Sequence, residues 1–183
     1  MRVSFTSHIL RLALAALVVS GLPGCSNDDE IDTQRTAIEK YLTSKNYAYD
    51  NRGGALCYTA NRDRADYETA EIASGGDQVT FNFAAYIFNS GLGSLYYTNI
   101  AELAEKNLAG LDTEFWSFEP VTARVGNSGL VKGVDLALNG CREGDSVQVF
   151  LTSELCYDKK QTGILPKNTP TVFILKITDV TKQ

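Results

Sequence analysis

Hydrophobic and polar residues alternate along four stretches of the chain, and the alternation predicts β-strands. The clearest is Gln78–Phe88, which is rich in β-branched and aromatic residues and follows the turn Gly75-Gly76-Asp77. Ser146–Thr152 carries apolar residues at every second position, which is typical of a strand with one face against an apolar surface. Ala55–Ala60 and Thr171–Ile177 are the other two predicted strands.

A different spacing, with apolar residues three or four apart, predicts an amphipathic helix over Ile31–Leu42. Its apolar face consists of Ile31, Ile38, Tyr41 and Leu42, while its outward face consists of Thr33, Gln34 and Lys40. A polar, glycine-containing linker is expected over Asn46–Gly54. The helix could therefore pack on the domain that follows or merely hold that domain away from a membrane.

Two shorter helices are expected further along. Ile100–Leu108 has Leu103 and Leu108 on its apolar side. The third helix begins after Gly129, where helical spacing relates Leu130, Val131, Val134 and Leu138. Polar residues over 61–74 predict a loop or irregular hairpin, and glycines over 89–94 predict a turn.

Residues 1–24 have the composition of a targeting segment. Arg2 and Arg11 are its positive charges, and residues 12–19 are its apolar core, which is too short to span a membrane. Leu22-Pro23-Gly24-Cys25 has the form of a lipobox, the motif at which a lipoprotein signal peptidase cleaves before the cysteine. Cys25 would then be the acylated first residue of the mature chain. The alternative is an ordinary secretory signal. The acidic run 26–30 is either a solvated tether or a signal for export to the cell surface. We expect a lipid-anchored protein of the cell envelope, at the periplasmic or surface face of the outer membrane.

Removal of this leader changes which chemistries are possible. His8 is the one histidine among 183 residues, so the mature chain has none, which excludes Ser-His-Asp and Cys-His catalysis and histidine-ligated metal sites. The mature chain carries 15 basic and 22 acidic residues, a net charge of −7. This balance argues against a nucleic-acid partner. Cys57, Cys141 and Cys156 permit one disulfide at most, and buried or free thiols are the simpler interpretation.

Several motifs occur in an order that points to a known family. Gly-Asp-x-Val-x-Phe-x-Phe covers 76–83, Tyr-Tyr-Thr-Asn covers 96–99, and Arg-Val-Gly covers 124–126. They are followed by the Leu-Val pair at 130–131, a short helix, Gly-Asp at 144–145, a strand, Cys-Tyr at 156–157, Ile-Leu-Pro at 164–166 and the last strand. In this order the chain resembles the FK506-binding-protein (FKBP) family of peptidyl-prolyl isomerases. The resemblance covers about residues 53–181 and is clear from residue 78 onward.

The resemblance implies an α+β fold in which a twisted antiparallel sheet wraps around a short helix. The N-terminal helix and the lipoprotein signal peptide precede it. The resulting division is a signal peptide over 1–24, an acidic tether with the N-terminal helix over 25–52, and an FKBP-like domain over 53–183.

The resemblance also implies a peptide-binding slot. It places Tyr157, Val131, Phe173 and Tyr96 in the catalytic role, with the Tyr157 hydroxyl and the Val131 backbone N–H as donors to the substrate. The implied substrate-binding positions are Phe83, Tyr97, Val121, Leu130, Val134, Ile164 and Leu165.

Three of these positions depart from the family pattern, and so does the residue that follows Tyr157. Tyr97 stands where the family has an aspartate, and Val134 stands where it has the tryptophan of the pocket floor. Val121 replaces an aromatic residue, and Asp158 replaces the glycine that follows the tyrosine. The resemblance therefore predicts a changed floor and a loop 158–163 that takes another path.

Isomerisation of X-Pro bonds is chemistry that such a slot can perform without a cofactor or metal. The amide rotation barrier is about 18–20 kcal/mol, and a dry slot that holds a twisted amide lowers it. We therefore expect a peptidyl-prolyl isomerase that helps exported proteins fold and has proline-containing peptides as its partners. The alternatives are a non-catalytic FKBP-like peptide-binding module and a structural envelope lipoprotein.

Overall fold

The computed structural model describes residues 27–108, 117–127 and 131–183. The helices are α1 (Asn27–Ser44), α2 (Ala101–Asn107) and α3 (Lys132–Leu138). The strands are β1 (Asp50–Arg52), β2 (Ala55–Thr59), β3 (Gln78–Phe88), β4 (Leu92–Thr98), β5 (Val121–Arg124), β6 (Ser146–Leu151) and β7 (Thr171–Thr181). None of the helices in these ranges is long and apolar enough to cross a bilayer.

The seven strands described form one antiparallel sheet in the order β1-β2-β6-β7-β3-β4. The long strand β3 is its centre: β7 pairs with β3 from Gln78 to Ile87 on one side. On the other side, β5 pairs with the first half of β3 and β4 with the second half. The predicted α+β architecture with an antiparallel sheet is confirmed.

One face of the sheet carries the main hydrophobic core. Successive side chains of a strand point to opposite faces, so Val79, Phe81, Phe83 and Ala85 of β3 all enter this core. Helix α3 packs on the same face against β2 and β6. Its approach is close because residue 133 is glycine: a Cβ there would lie 2.3 Å from Leu151 Cδ2.

The opposite face of the sheet is covered by the other two helices. Ile38 and Leu42 of α1 bury themselves against residues from four strands, which are Leu56, Phe88, Phe150 and Val172. Ala104 of α2 and the following Leu108 pack on Ala84 and Leu95. Of the two possibilities left open for the N-terminal helix, packing on the domain is therefore the one observed.

Two expectations for this N-terminal part were wrong. Gln34 does not point outward: it is 8 % exposed, because its amide is hydrogen-bonded to backbone groups of the main domain. The stretch 46–54 is not only a linker, since β1 lies within it and pairs with β2. Arg52 of β1 has a definite role there: it donates to Ala137 O at 2.6 Å, at the carboxyl end of α3.

Three smaller differences concern element bounds. β7 extends four residues beyond its predicted end, to Thr181, where it still pairs with Gln78. β4 begins at Leu92, inside the predicted glycine-rich turn. Val131 precedes α3 in an extended conformation, with φ −61° and ψ 139°, and is not a helical residue.

The three cysteines in the described ranges are free thiols. Cys57 and Cys141 are fully buried, and burial is the main cause that raises the pKa of Cys57 to about 12 and that of Cys141 to about 11. Arg52, which donates to Cys141 Sγ at 3.2 Å, opposes this rise. These two thiols therefore remain protonated at neutral pH.

Candidate functional site

A slot opens on the core face of the sheet, beside the start of α3. Its volume is about 260 Å³, and its lining is apolar and aromatic. The side chains that line it come from β3, β4, β7, the start of α3 and the segment after β6: Phe81, Phe83, Tyr97, Val131, Val134, Tyr157 and Phe173. The described residues that line it include no charged side chain.

The aromatic wall is built on two neighbouring strands. Phe81 and Phe83 are two residues apart on β3 and therefore share a face. Phe173 lies on the adjacent β7, with its ring centroid 6.3 Å from that of Phe83. Tyr97 of β4 meets the Phe83 ring edge-on at 5.0 Å. Edge-to-face packing of this kind fixes the rings relative to one another.

Tyr157 is one of two tyrosines among the described residues of the wall, and Tyr97 is the other. Its ring packs edge-on against Tyr96 at 6.2 Å, and Tyr96 in turn packs edge-on against Phe173 at 6.3 Å. Burial raises the pKa of Tyr157 to about 12, with smaller contributions from the Cys156 thiol and Tyr97. The phenol is therefore protonated at neutral pH and remains a hydrogen-bond donor.

Val131 and Val134 form the side of the slot next to α3. The Val131 carbonyl accepts from the backbone N–H groups of Val134 (3.0 Å) and Asp135 (3.2 Å), which fixes the backbone where the helix begins. The Val134 side chain is 2 % exposed and lines the slot at the position where the family resemblance expects a tryptophan.

Four of the expected site residues lie outside the observed lining. Tyr96 is buried behind the wall and supports it. Val121 pairs with Phe81 from β5 and is half-buried against the main core. Leu165 exchanges backbone hydrogen bonds with Thr162, and this tight turn directs Leu165 into the core and leaves Ile164 exposed.

Three further positions differ from the expected set, two because they are not described and one because it was not expected. Leu130 and Cys25 lie outside the described residues. Phe81 lines the slot although it was not among the expected site residues. Its two-residue spacing from Phe83 was the signal that could have identified it.

The loop after Tyr157 is held by its backbone. Asp158 has φ +49°, a left-handed conformation that glycine adopts more readily than aspartate. Its N–H donates to Ser153 O at 2.8 Å, and its carbonyl accepts from Asn168 N at 2.7 Å. A glycine-like conformation is therefore retained at 158 although the residue is aspartate.

Comparison with known proteins agrees with this fold. The family model described as FKBP-type peptidyl-prolyl cis-trans isomerase matches residues 69–178, more than half of the chain. The chain belongs to this family. "FK506-binding protein 5" of Dictyostelium discoideum is 28 % identical to this chain over 145 residues. That match covers 79 % of this chain but only 8 % of the length of the relative.

Solved structures of FKBP-type proteins share the fold. A peptidyl-prolyl cis-trans isomerase from Pseudomonas syringae pv. tomato has a TM-score of 0.58 at 13 % identity, covering 87 % of this chain and 98 % of its own. FkpA from Escherichia coli has a TM-score of 0.55 at 16 % identity, with coverages of 85 % and 61 %. The three-domain structure of wheat FKBP73 gives 0.54 at 15 % identity, with coverages of 75 % and 50 %. The expected FKBP-like fold is confirmed.

Proposed function

We propose that this FKBP-type domain catalyses cis/trans isomerisation of X-Pro bonds in exported proteins. The observation that carries the proposal is the uncharged aromatic slot with the protonated phenol of Tyr157 in its wall. Its volume of about 260 Å³ is below the roughly 300–1,000 Å³ of pockets for drug-sized ligands, so a single proline ring with its flanking amides is a suitable occupant.

Catalysis in this slot would come from selective stabilisation of the twisted amide. Water favours the planar, strongly polar amide, whereas an apolar slot removes that preference. The proline ring would contact Phe83 and Phe173, while the Tyr157 hydroxyl and the Val131 N–H would donate to carbonyls that flank the bond. These donors accelerate the reaction to the extent that they bind the twisted form better than either planar form.

A second function has specific support from two positions in the lining. Tyr97 and Val134 replace an aspartate and a tryptophan of the family pattern, and both line the slot. A domain that binds proline peptides without accelerating their isomerisation is consistent with those replacements. A structural role in the envelope is the third possibility, and it requires no peptide binding.

Exchange NMR on a panel of X-Pro peptides separates the three possibilities. We expect the protein to accelerate cis/trans exchange and the Tyr157→Phe, Phe173→Ala double variant to lose the acceleration. Tyr86→Phe is the matched control, because it removes a hydroxyl on the opposite face of the sheet, beside α2. Shifts without acceleration would identify a binding module. Absence of both would leave the structural role.

The proposed location rests on Cys25 and the lipobox before it. A lipid on Cys25 would hold the domain at the outer membrane, on its periplasmic or surface face. Metabolic labelling with a fatty acid should mark the wild-type protein and not Cys25→Ser, and the variant should leave the membrane fraction. Protease treatment of whole cells then reports which face the domain occupies. Labelling that survives Cys25→Ser would contradict the anchor.

A further inference from the structure

The wall of the slot offers two phenols and no carboxylate among its described residues. Tyr97 is 38 % exposed, and its ring rests edge-on against Phe83, deeper in the slot. Tyr157 is on a separate segment, but Tyr97 is close enough to contribute to the raised pKa of Tyr157. A phenol can donate a hydrogen bond, whereas an ionised carboxylate only accepts. This part of the slot is therefore suited to a ligand group that accepts hydrogen bonds.

The charges nearest in the chain do not restore an anion to the slot. Lys132 follows Val131 directly, and Lys159 and Lys160 follow Tyr157 by two and three residues; all three lysines are exposed. Of the acidic neighbours, Asp135 accepts a hydrogen bond from Gly126 N at 3.1 Å. Asp158 is the remaining acidic neighbour; it is half-buried and is not among the described residues that line the slot.

We infer that Tyr97 determines charge selectivity, so that the slot accepts a carboxylate side chain next to the proline as readily as its neutral amide counterpart. The inference rests on the proposed function, because it concerns the same slot and the same peptides. Its physical basis is that a ligand carboxylate meets phenol donors there instead of a like charge.

The test compares Glu-Pro with Gln-Pro peptides, which differ in charge and hardly in shape. The full chain is purified in mild detergent, and kcat/KM for isomerisation and Kd from NMR shifts are measured for each peptide. For the wild type we expect a Glu-Pro to Gln-Pro ratio within about threefold of one. For Tyr97→Asp we expect the ratio to fall about tenfold, since the new carboxylate would repel the ligand carboxylate at the partly solvated edge of an apolar slot. A substitution that damages the slot in general changes the values for both peptides by the same factor, so this effect cancels in the Glu-Pro to Gln-Pro ratio.

Leu92→Asp is the matched charge control. Leu92 is 46 % exposed on the same strand, five residues from Tyr97 and so about 16 Å away along it. This exceeds the screening length of about 8 Å at physiological salt, so the ratio should stay at its wild-type value. Tyr97→Phe keeps the ring and removes the hydroxyl, so it distinguishes their contributions. It should lower the affinity for both peptides, and the affinity for the Glu-Pro peptide should fall more.

Each outcome decides one proposal or both. A wild type that rejects Glu-Pro tenfold against Gln-Pro overturns the inference, as does a ratio unchanged by Tyr97→Asp. Binding without acceleration removes the isomerase proposal, while the ratio of Kd values still tests the role of Tyr97. Binding of no peptide overturns both.

Discussion

Gln34 of α1 accepts a hydrogen bond from the backbone N–H of Ser153, 119 residues later, at 2.8 Å. The same amide donates to Asn168 O at 2.9 Å. Ser153 and Asn168 are also the two residues to which the backbone of Asp158 is bonded, directly after Tyr157. The N-terminal helix thus supports the segment that carries Tyr157 of the slot wall.

Gln34→Met should therefore destabilise the domain. The substitution keeps the length of the side chain but leaves the Ser153 N–H buried without its partner, which typically costs about 1–3 kcal/mol. Urea unfolding of variant and wild type gives the difference in free energy of unfolding. Thr36→Met is the control, because Thr36 is exposed on the same helix. A Gln34→Met variant as stable as this control would show that the bridge contributes nothing.

Gly133→Ala should destabilise the domain although alanine is the better helix former. The intrinsic gain in a helix is about 1 kcal/mol, but the new Cβ would lie 2.3 Å from Leu151 Cδ2 and 2.9 Å from Leu151 Cγ. Leu151 is completely buried, so relief requires movement of α3 or β6. Overpacking of this kind costs about 1–3 kcal/mol.

The thermal midpoint of Gly133→Ala should accordingly lie below that of the wild type. Lys132→Ala is the control, because Lys132 is exposed on the same turn. It should leave the midpoint unchanged or raise it slightly. If Gly133→Ala raised the midpoint, helix propensity and not packing would be the dominant effect. The double variant Gly133→Ala, Leu151→Val should recover part of the loss, because the shorter side chain makes room for the methyl group.

Asp158→Gly and Asp158→Val should differ in their effect on the stability of the domain. At φ +49°, glycine is unstrained, so we expect the glycine variant to stay within about 1 kcal/mol of the wild type. A β-branched residue is a conformational outlier there, and the valine variant should lose about 1–3 kcal/mol. Peptide binding should be retained by the glycine variant. Equal stability of the two variants would show that this backbone conformation is not enforced by the fold.

Short-range patterns were sufficient for four of the seven described strands, which are β2, β3, β6 and β7, but not for the other three or for the contacts that complete the slot. The bounds of β3 could be predicted because seven of its eleven residues are β-branched or aromatic, which leaves few other choices. Gln34 was assigned to the solvent side because its partners are more than 100 residues away and helical spacing carries no information about them. Ile164 and Leu165 were equivalent in sequence, and only the tight turn with Thr162 separates the buried side chain from the exposed one.

Asp77 should make the stability of the domain depend on pH in the acid range. Its carboxylate accepts from Lys182 Nζ at 2.7 Å, and from the Ser74 backbone N–H and hydroxyl, both at 2.8 Å. Lys182 first, and then Ser74, hold the pKa of Asp77 well below its ordinary value of 3.8. The folded chain therefore binds this proton less readily than the unfolded chain, and the stabilisation is complete only above that ordinary value.

As the pH falls below the ordinary value toward the lower folded-state pKa, this stabilisation is lost. We expect Asp77→Asn to lower the free energy of unfolding at pH 7, and the gap to the wild type to narrow steadily between about pH 5 and pH 2. Urea unfolding across that range measures the gap. Asp63→Asn, at an exposed carboxylate, is the control and should give a small gap at pH 7. A gap for Asp77→Asn that stays constant with pH would mean that these hydrogen bonds do not favour the charged carboxylate.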